Sequence, residues 1–154
     1  MNNLFFILYD SRSGSTFLAN HLSRLSNIII PPENNIISLL LKKYPIEQKI
    51  SLADAMNSIF EDSKFHDWHL EREYIASYFK NKDIISIREF LVGLFFVYCT
   101  KFDSKDYLFG IKKGSYIFYW RSIRALFPEA KFVCLIRDGR AVYNSKKNSI
   151  YSKT

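Results

Sequence analysis

Three short apolar runs stand out along the chain, and each empties into polar or charged residues. The first, LFFILY over Leu4–Tyr9, is continuous and not alternating, the pattern of a strand buried on both faces. It runs into DSRSGS (residues 10–15). Phe17, Leu18, Leu22 and Leu25 then recur at helical spacing, so a helix is expected from Ser15 to Leu25. In NIIIPPEN (27–34) a second short strand is expected to stop at Pro31 and Pro32, because proline has no donor to give a sheet. Asn34 or Asn35 would then cap a helix running to about Lys43.

Residues 45–105 read as mostly helical, with Ile87, Phe90, Leu91, Leu94 and Tyr98 marking one helix clearly. DSKFHDWHLERE (62–73) shows no period and reads as a surface loop or helix edge, or else as an insertion touching substrate. DYLFGIKKG (106–114) is a strand ending in two lysines and a glycine. Tyr116, Trp120, Ile123 and Phe127 follow at i, i+4, i+7 and i+11, one helix face stopped by Pro128. Phe132–Ile136 is a further strand, emptying into RDGR, and a last helix is expected from about Gly139. Strands alternating with helices predict an α/β fold: a parallel β-sheet flanked by helices, with a mostly helical mid-chain insertion. Residues 1–154 are read as one such domain.

Composition narrows the function classes. The 48% hydrophobic and 17% aromatic content belong to a packed globule and argue against disorder. No apolar run is long enough to cross a bilayer, and LFFILY lacks the basic leader and cleavage site of a signal peptide. Cys99 and Cys134 lie in apolar stretches and are read as buried thiols, which suits a cytoplasmic location. The net charge of +7 is uneven: from Gly110 onward there are ten basic residues against Glu129 and Asp138. That implies an anionic partner. Nucleic acid is not expected, because no base-reading motif accompanies the charge.

In a parallel sheet, ligands gather at the carboxyl ends of the strands. Here those ends carry Arg12, the Lys112–Lys113 pair and Arg137. Three cationic exits on one edge make a site for a polyanion. At the first exit, Gly14 allows close backbone approach, Ser13, Ser15 and Thr16 add hydroxyl donors, and a helix N-terminus favours negative charge. The Gly-Lys-Ser/Thr ending of a Mg-nucleotide loop is missing, which disfavours a kinase.

SRSGSTFLANHL (11–22) resembles the 5′-phosphosulfate loop of the sulfotransferases, which use 3′-phosphoadenosine-5′-phosphosulfate (PAPS) as sulfate donor. FPEAKFVCLIRDGRAVYNS (127–145) is similar to their 3′-phosphate-binding segment, and FGIKKG (109–114) to the strand end that carries the family lysine. The likeness is nearest to the carbohydrate and tyrosylprotein types. It implies that Ser13, Gly14, Ser15 and Thr16 hold the 5′-phosphate, that Arg12 is the catalytic cation, and that Arg137 and Ser145 bind the 3′-phosphate. Lys112 corresponds to the lysine at the sulfuryl group, with Lys113 one residue out of register as the alternative. Glu33 corresponds to the general base of the tyrosylprotein enzymes. No metal is implied. The acceptor would be a hydroxyl of a carbohydrate, a peptide tyrosine or a small metabolite.

Trp68, Tyr74, Tyr78 and Phe79 either shape the acceptor pocket or fill the core, while His21 reads as a surface or packing residue. His66 and His69 have no assigned role. The chain ends soon after the 3′-phosphate helix, where family members continue, and KKNSIYSKT carries no helix stop. A fragment, a small member and a decayed member all remain open. The alternative to a sulfotransferase is therefore a non-catalytic protein that binds PAPS or a nucleotide without turnover.

Overall fold

A computed structural model describes residues 3–102 and 107–148. The start of the DYLFGIKKG run at Asp106 and the end of KKNSIYSKT lie outside the described residues. The elements follow in the order β1 (Leu4–Tyr9), α1 (Ser15–Leu22), β2 (Ile28–Ile29), α2 (Ile36–Lys43), β3 (Lys49–Ser51) and α3 (Leu52–Phe60). A 3₁₀ turn over Ser63–Trp68 leads to α4 (Arg72–Tyr78), β4 (Ile84–Ser86), α5 (Ile87–Cys99) and β5 (Leu108–Lys112). A second 3₁₀ turn, Gly114–Phe118, precedes α6 (Trp120–Leu126), β6 (Lys131–Leu135) and α7 (Gly139–Lys147).

Four strands form a parallel sheet in the order β2-β5-β1-β6, flanked by helices. Every residue of β1 is buried, as its unbroken apolar run requires. Alternate side chains serve two cores. Leu4, Phe6 and Leu8 join the large one, packed with α5 residues Phe90, Leu91, Leu94 and Phe95. Phe5, Ile7 and Tyr9 form a thinner one beneath Leu18 and Leu22 of α1. Gly110 faces Phe5 across the β1–β5 register, and a Cβ there would drive into the Phe5 ring. The glycine is what lets that ring lie against the sheet.

Several expectations need correction. The first helix stops at Leu22, and Leu25 lies beyond it, exposed. Phe17 is also exposed, its ring against His21 at 4.0 Å between centroids. The inward face of α1 runs instead through Ser15, Leu18, Ala19 and Leu22, because burial follows the helix phase and not residue size. The helix expected across Tyr116–Phe127 is broken, since a 3₁₀ turn advances three residues per turn and shifts the phase. Trp120 therefore lands outside, with the Arg121 guanidinium over its ring, while Tyr116, Ile123 and Phe127 are buried. Cys99 is a buried free thiol, but Cys134 is exposed: β6 is an edge strand, and its apolar run is not covered.

The mid-chain region is mainly helical, yet it also contains an antiparallel ribbon pairing β3 with β4. Each three-residue strand leads straight into a helix. Ser51 Oγ accepts from Asp54 N–H and Ser86 Oγ accepts from Glu89 N–H, so both helices begin on a serine cap. Among the described residues, no helix is long and apolar enough to cross a membrane.

Candidate active site

Because β1, β5 and β6 are parallel, their carboxyl ends lie on the same edge of the sheet, and the loops leaving them carry the charged residues. After β1 the chain turns through Asp10–Gly14 into α1. Arg12 adopts φ 68°, in the left-handed region, which costs a non-glycine residue on the order of 1–2 kcal/mol. Arg137, from the loop after β6, donates Nη1–H to the Arg12 carbonyl at 2.9 Å and so braces the strained residue. Gly14 follows at φ 91° and opens the helix without a side-chain cap.

The loop is shaped for an anion. The first N–H groups of α1 have no partner within the helix, and its first turn holds no acidic residue. Ser13 Oγ is buried without a hydrogen-bond partner, an orphan donor in a cradle of backbone N–H groups. The space above Gly14 is open, with nothing within 4 Å of where a Cβ would lie. Ser15 is buried and Thr16 exposed. These residues fit the phosphate end of a nucleotide donor.

On the β6 side, α7 begins with Asp138, whose carboxylate accepts from Arg140 N–H at 2.8 Å. About two turns later Ser145 meets the first loop: Arg12 donates Nε–H to Ser145 Oγ at 3.1 Å and Nη2–H to its carbonyl at 3.3 Å. Lys146 of the same helix stands 3.7 Å from Asp10. Residues 133 positions apart are thus in direct contact, and Arg12, Arg137 and Ser145 make one cluster. It is open to water; both arginines are exposed and α7 buries no residue.

On the β5 side the environment is different. Glu33 Oε1 accepts a hydrogen bond from Tyr9 Oη at 2.7 Å and another from Lys112 Nζ. Lys113 Nζ lies 3.9 Å from the other oxygen, Oε2. The two lysine side chains are only 10% and 12% exposed. Burial alone would raise the Glu33 carboxyl. The hydrogen bonds from Lys112 and Tyr9, with the charges of both lysines, outweigh it and hold the group below the usual carboxylate range. Tyr9 is pushed upward, by burial first and then by the adjacent carboxylate. Burial and the nearby Lys64 lower Lys113, with the charges of Glu33 and Asp62 working against them.

The segment that carries Glu33 is irregular, so side chains must hold it. Asp62, buried, accepts from Asn35 N–H at 2.5 Å and from Asn35 Nδ2 at 3.0 Å. Trp68 donates its indole N–H to the Pro32 carbonyl at 2.8 Å, and Tyr116 Oη reaches the Asn34 carbonyl at 3.4 Å. Asn34 Oδ1 turns inward to accept from Ile36 N–H at the start of α2. Asn35 takes the N-cap position without a side-chain cap bond. The aperiodic stretch DSKFHDWHLERE is thus no plain surface loop: Phe65 and Trp68 enter the core, and Asp62 and Trp68 fasten the Glu33 segment.

A cleft of about 840 Å³ opens beside this cluster, lined by Tyr9, Glu33, Lys113, Ser115 and Phe118 among others. Ser115 Oγ is buried there without a partner, and the Phe118 ring is 85% exposed. Of the aromatic residues expected at an acceptor pocket, Trp68 and Phe79 are core residues, while Tyr74 and Tyr78 are exposed and do not line this cleft. His21 is a surface residue, its Nδ1 2.9 Å from the Phe17 carbonyl. His66 and His69 border a separate hollow, and no group of described residues is arranged to hold a metal. Tyr9, Asp62 and Ser115 were not singled out by sequence. The signal for Tyr9 was its place as the last strand residue before the loop; nothing comparable marked Asp62.

No curated protein matches the chain. The model of the sulfotransferase family matches residues 5–154, nearly the whole sequence, from the opening strand through the Arg12 loop, the Lys112 strand end and the Arg137 segment. With cationic strand ends gathered on one edge of a parallel sheet and a family match of that extent, the chain belongs to the sulfotransferase family.

Proposed function

We propose that the protein transfers a sulfuryl group from PAPS to an acceptor hydroxyl. The observation that carries this reading is the placement of two unlike clusters on either side of the β1 exit. Arg12, Arg137 and Ser145 form the exposed cationic one, and Tyr9, Glu33, Lys112 and Lys113 the half-buried proton-handling one. Bound at the first loop, PAPS would supply an activated sulfuryl group.

Ser13, Gly14, Ser15 and Thr16 are assigned to the 5′-phosphate, where the orphan Ser13 hydroxyl would gain its missing partner. Arg137 and Ser145 are assigned to the 3′-phosphate. Arg12 offers a planar fork of donors to charge developing on the leaving phosphate. Lys112, keeping one N–H on Glu33 Oε1, would turn its remaining ammonium donors to the sulfuryl oxygens and serve the same end; this placement beside the carboxylate supports Lys112 over Lys113 in this role. Glu33 takes the acceptor proton. The acceptor oxygen gains the sulfuryl group while the broken S–O bond's electron pair departs with the 5′-phosphate. A sulfuryl group carries less negative charge than a terminal phosphoryl group, so direct cationic donors suffice for this chemistry.

The test has two parts. Adenosine 3′,5′-bisphosphate should bind at least tenfold more tightly than AMP, and Arg137→Ala should erase that preference; equal affinities would remove the 3′-phosphate assignment. Transfer of labelled sulfate from PAPS to a panel of phenols, sugars and tyrosine peptides then separates an enzyme from a binder. Tight binding without transfer to any of them would leave the binder reading.

A further inference from the structure

The two oxygens of Glu33 are not equivalent. Oε1 is filled by Tyr9 Oη at 2.7 Å and by Lys112 Nζ. Among the described residues, Oε2 has only Lys113 Nζ at 3.9 Å, beyond hydrogen-bond reach, and Lys113 and Glu33 both line the open cleft. A carboxylate that must take a proton in one direction needs its plane fixed and one oxygen left available. Tyr9 does both. Its ring is buried at the end of β1, held between the thin core and Gly114, so the hydroxyl has little freedom to move. The Lys112 ammonium lies 5.6 Å from the centre of that ring, which places the same tyrosine against both partners of the ion pair. Ser15 of the phosphate loop and the Gly114 backbone also act on the phenol oxygen. The hydroxyl therefore stands between the donor loop and the carboxylate.

We propose that Tyr9 is a positioning residue whose hydroxyl, with Lys112, occupies Glu33 Oε1 and leaves Oε2 as the atom that receives the acceptor proton. The inference rests on Glu33 being the general base. In the transfer step the acceptor O–H bond breaks, its proton passes to Oε2, and the acceptor oxygen closes its bond to sulfur. The Tyr9 proton stays on Tyr9 throughout, since burial and the neighbouring carboxylate disfavour the phenolate. Tyr9 thus orients and does not titrate.

The groups facing Glu33 define what a substitution would change. They are Tyr9 from β1, Lys112 from β5 and Lys113 from the following loop, with Lys64 and Asp62 acting on Lys113 from the 62–68 segment. Tyr9→Phe keeps the ring and removes one bond to the carboxylate. The kcat is expected to fall roughly 10- to 100-fold, the range for a lost hydrogen bond to a charged group. The KM for PAPS should stay within about twofold, because the phosphate loop keeps its own contacts. The acid limb of the pH–rate profile should move upward, because Glu33 loses a partner that favours its charged form.

Glu33→Gln and the double variant complete the cycle. Tyr9→Phe should add nothing to the damage of Glu33→Gln if the tyrosine works only through that carboxylate. Full additivity, or an unchanged kcat and acid limb in Tyr9→Phe beside a crippled Glu33→Gln, would overturn the positioning role alone. Undiminished turnover in Glu33→Gln would remove the base assignment, and the inference with it.

Discussion

The two sides of the β1 exit are built on opposite principles. Around Glu33 the groups are half-buried and cross-braced, with Asp62, Trp68 and Tyr116 all bonded to the backbone or side chains of the 32–35 segment. Around Arg12 they are exposed, and α7 meets the loop through polar contacts without a buried residue of its own. The difference matches the chemistry proposed for each side. Phosphates can be held by mobile cations in water, because charge attraction tolerates imprecise placement. A proton acceptor must present one oxygen at hydrogen-bond distance and in the right plane, and that needs a rigid, partly dry setting.

The sharpest break of this contrast is at Arg12. Arg12→Ala should lower turnover by about 10²- to 10³-fold, the loss typical when a donor to developing charge is removed. Because the residue sits at positive φ, Arg12→Gly should melt at a higher temperature than Arg12→Ala, by the equivalent of about 1 kcal/mol. Equal melting temperatures would mean that the loop relaxes away from the left-handed conformation once the side chain is gone. Those two measurements separate the catalytic value of the guanidinium from the backbone strain it sits on.

A smaller effect is expected on the braced side. Asp62→Ala strips the partner from the Asn35 N–H and side-chain amide, a loss of about 1–3 kcal/mol in stability. It should also reduce kcat while leaving the affinity for adenosine 3′,5′-bisphosphate nearly unchanged. A matching loss of nucleotide affinity would show that the two sides are not independent.

The smallest effect is in pH. Glu33 is held below the usual carboxylate range, so its contribution to stability is fully present above its ordinary value of 4.5 and is lost progressively as pH falls from there through the lower folded value. Glu33→Gln should consequently narrow the stability difference between pH 7 and pH 3, and the acid limb of the proposed transfer should lie below ordinary carboxylate titration. An acid limb near pH 6 would contradict that state of the carboxyl.

How much of this was legible in the sequence depended on whether a local pattern carried it. β1 was plain because a strand buried on both faces is apolar throughout, and α5 because Ile87, Phe90, Leu91, Leu94 and Tyr98 mark one face through about three turns. The charged strand ends were readable because parallel topology brings them to one edge, so Arg12 and Arg137 could be placed together before any contact was known. What escaped was either non-periodic or set by tertiary context. Trp68 fills the core from a 3₁₀ turn, and no pattern over six residues announces that. Cys134 looked buried from its apolar neighbours, yet edge exposure is a property of the sheet and not of the run. Phe17 and Trp120 misled in the same way: large apolar residues at helical spacing that the actual phase of α1 and α6 turned outward. The Tyr9–Glu33 bond joins residues 24 apart, and only the fold could reveal it.

The chain contains two tryptophans in contrasting surroundings: Trp68 is 1% exposed, Trp120 46%. Since the indole of Trp68 is bonded to Pro32, one residue from Glu33, its fluorescence should be blue-shifted by burial and should report on that segment. Trp120, half exposed, should emit further to the red and supply an internal reference in the same spectrum. Loosening of the loop on warming or on acceptor binding can thus be followed by light alone, with no label attached.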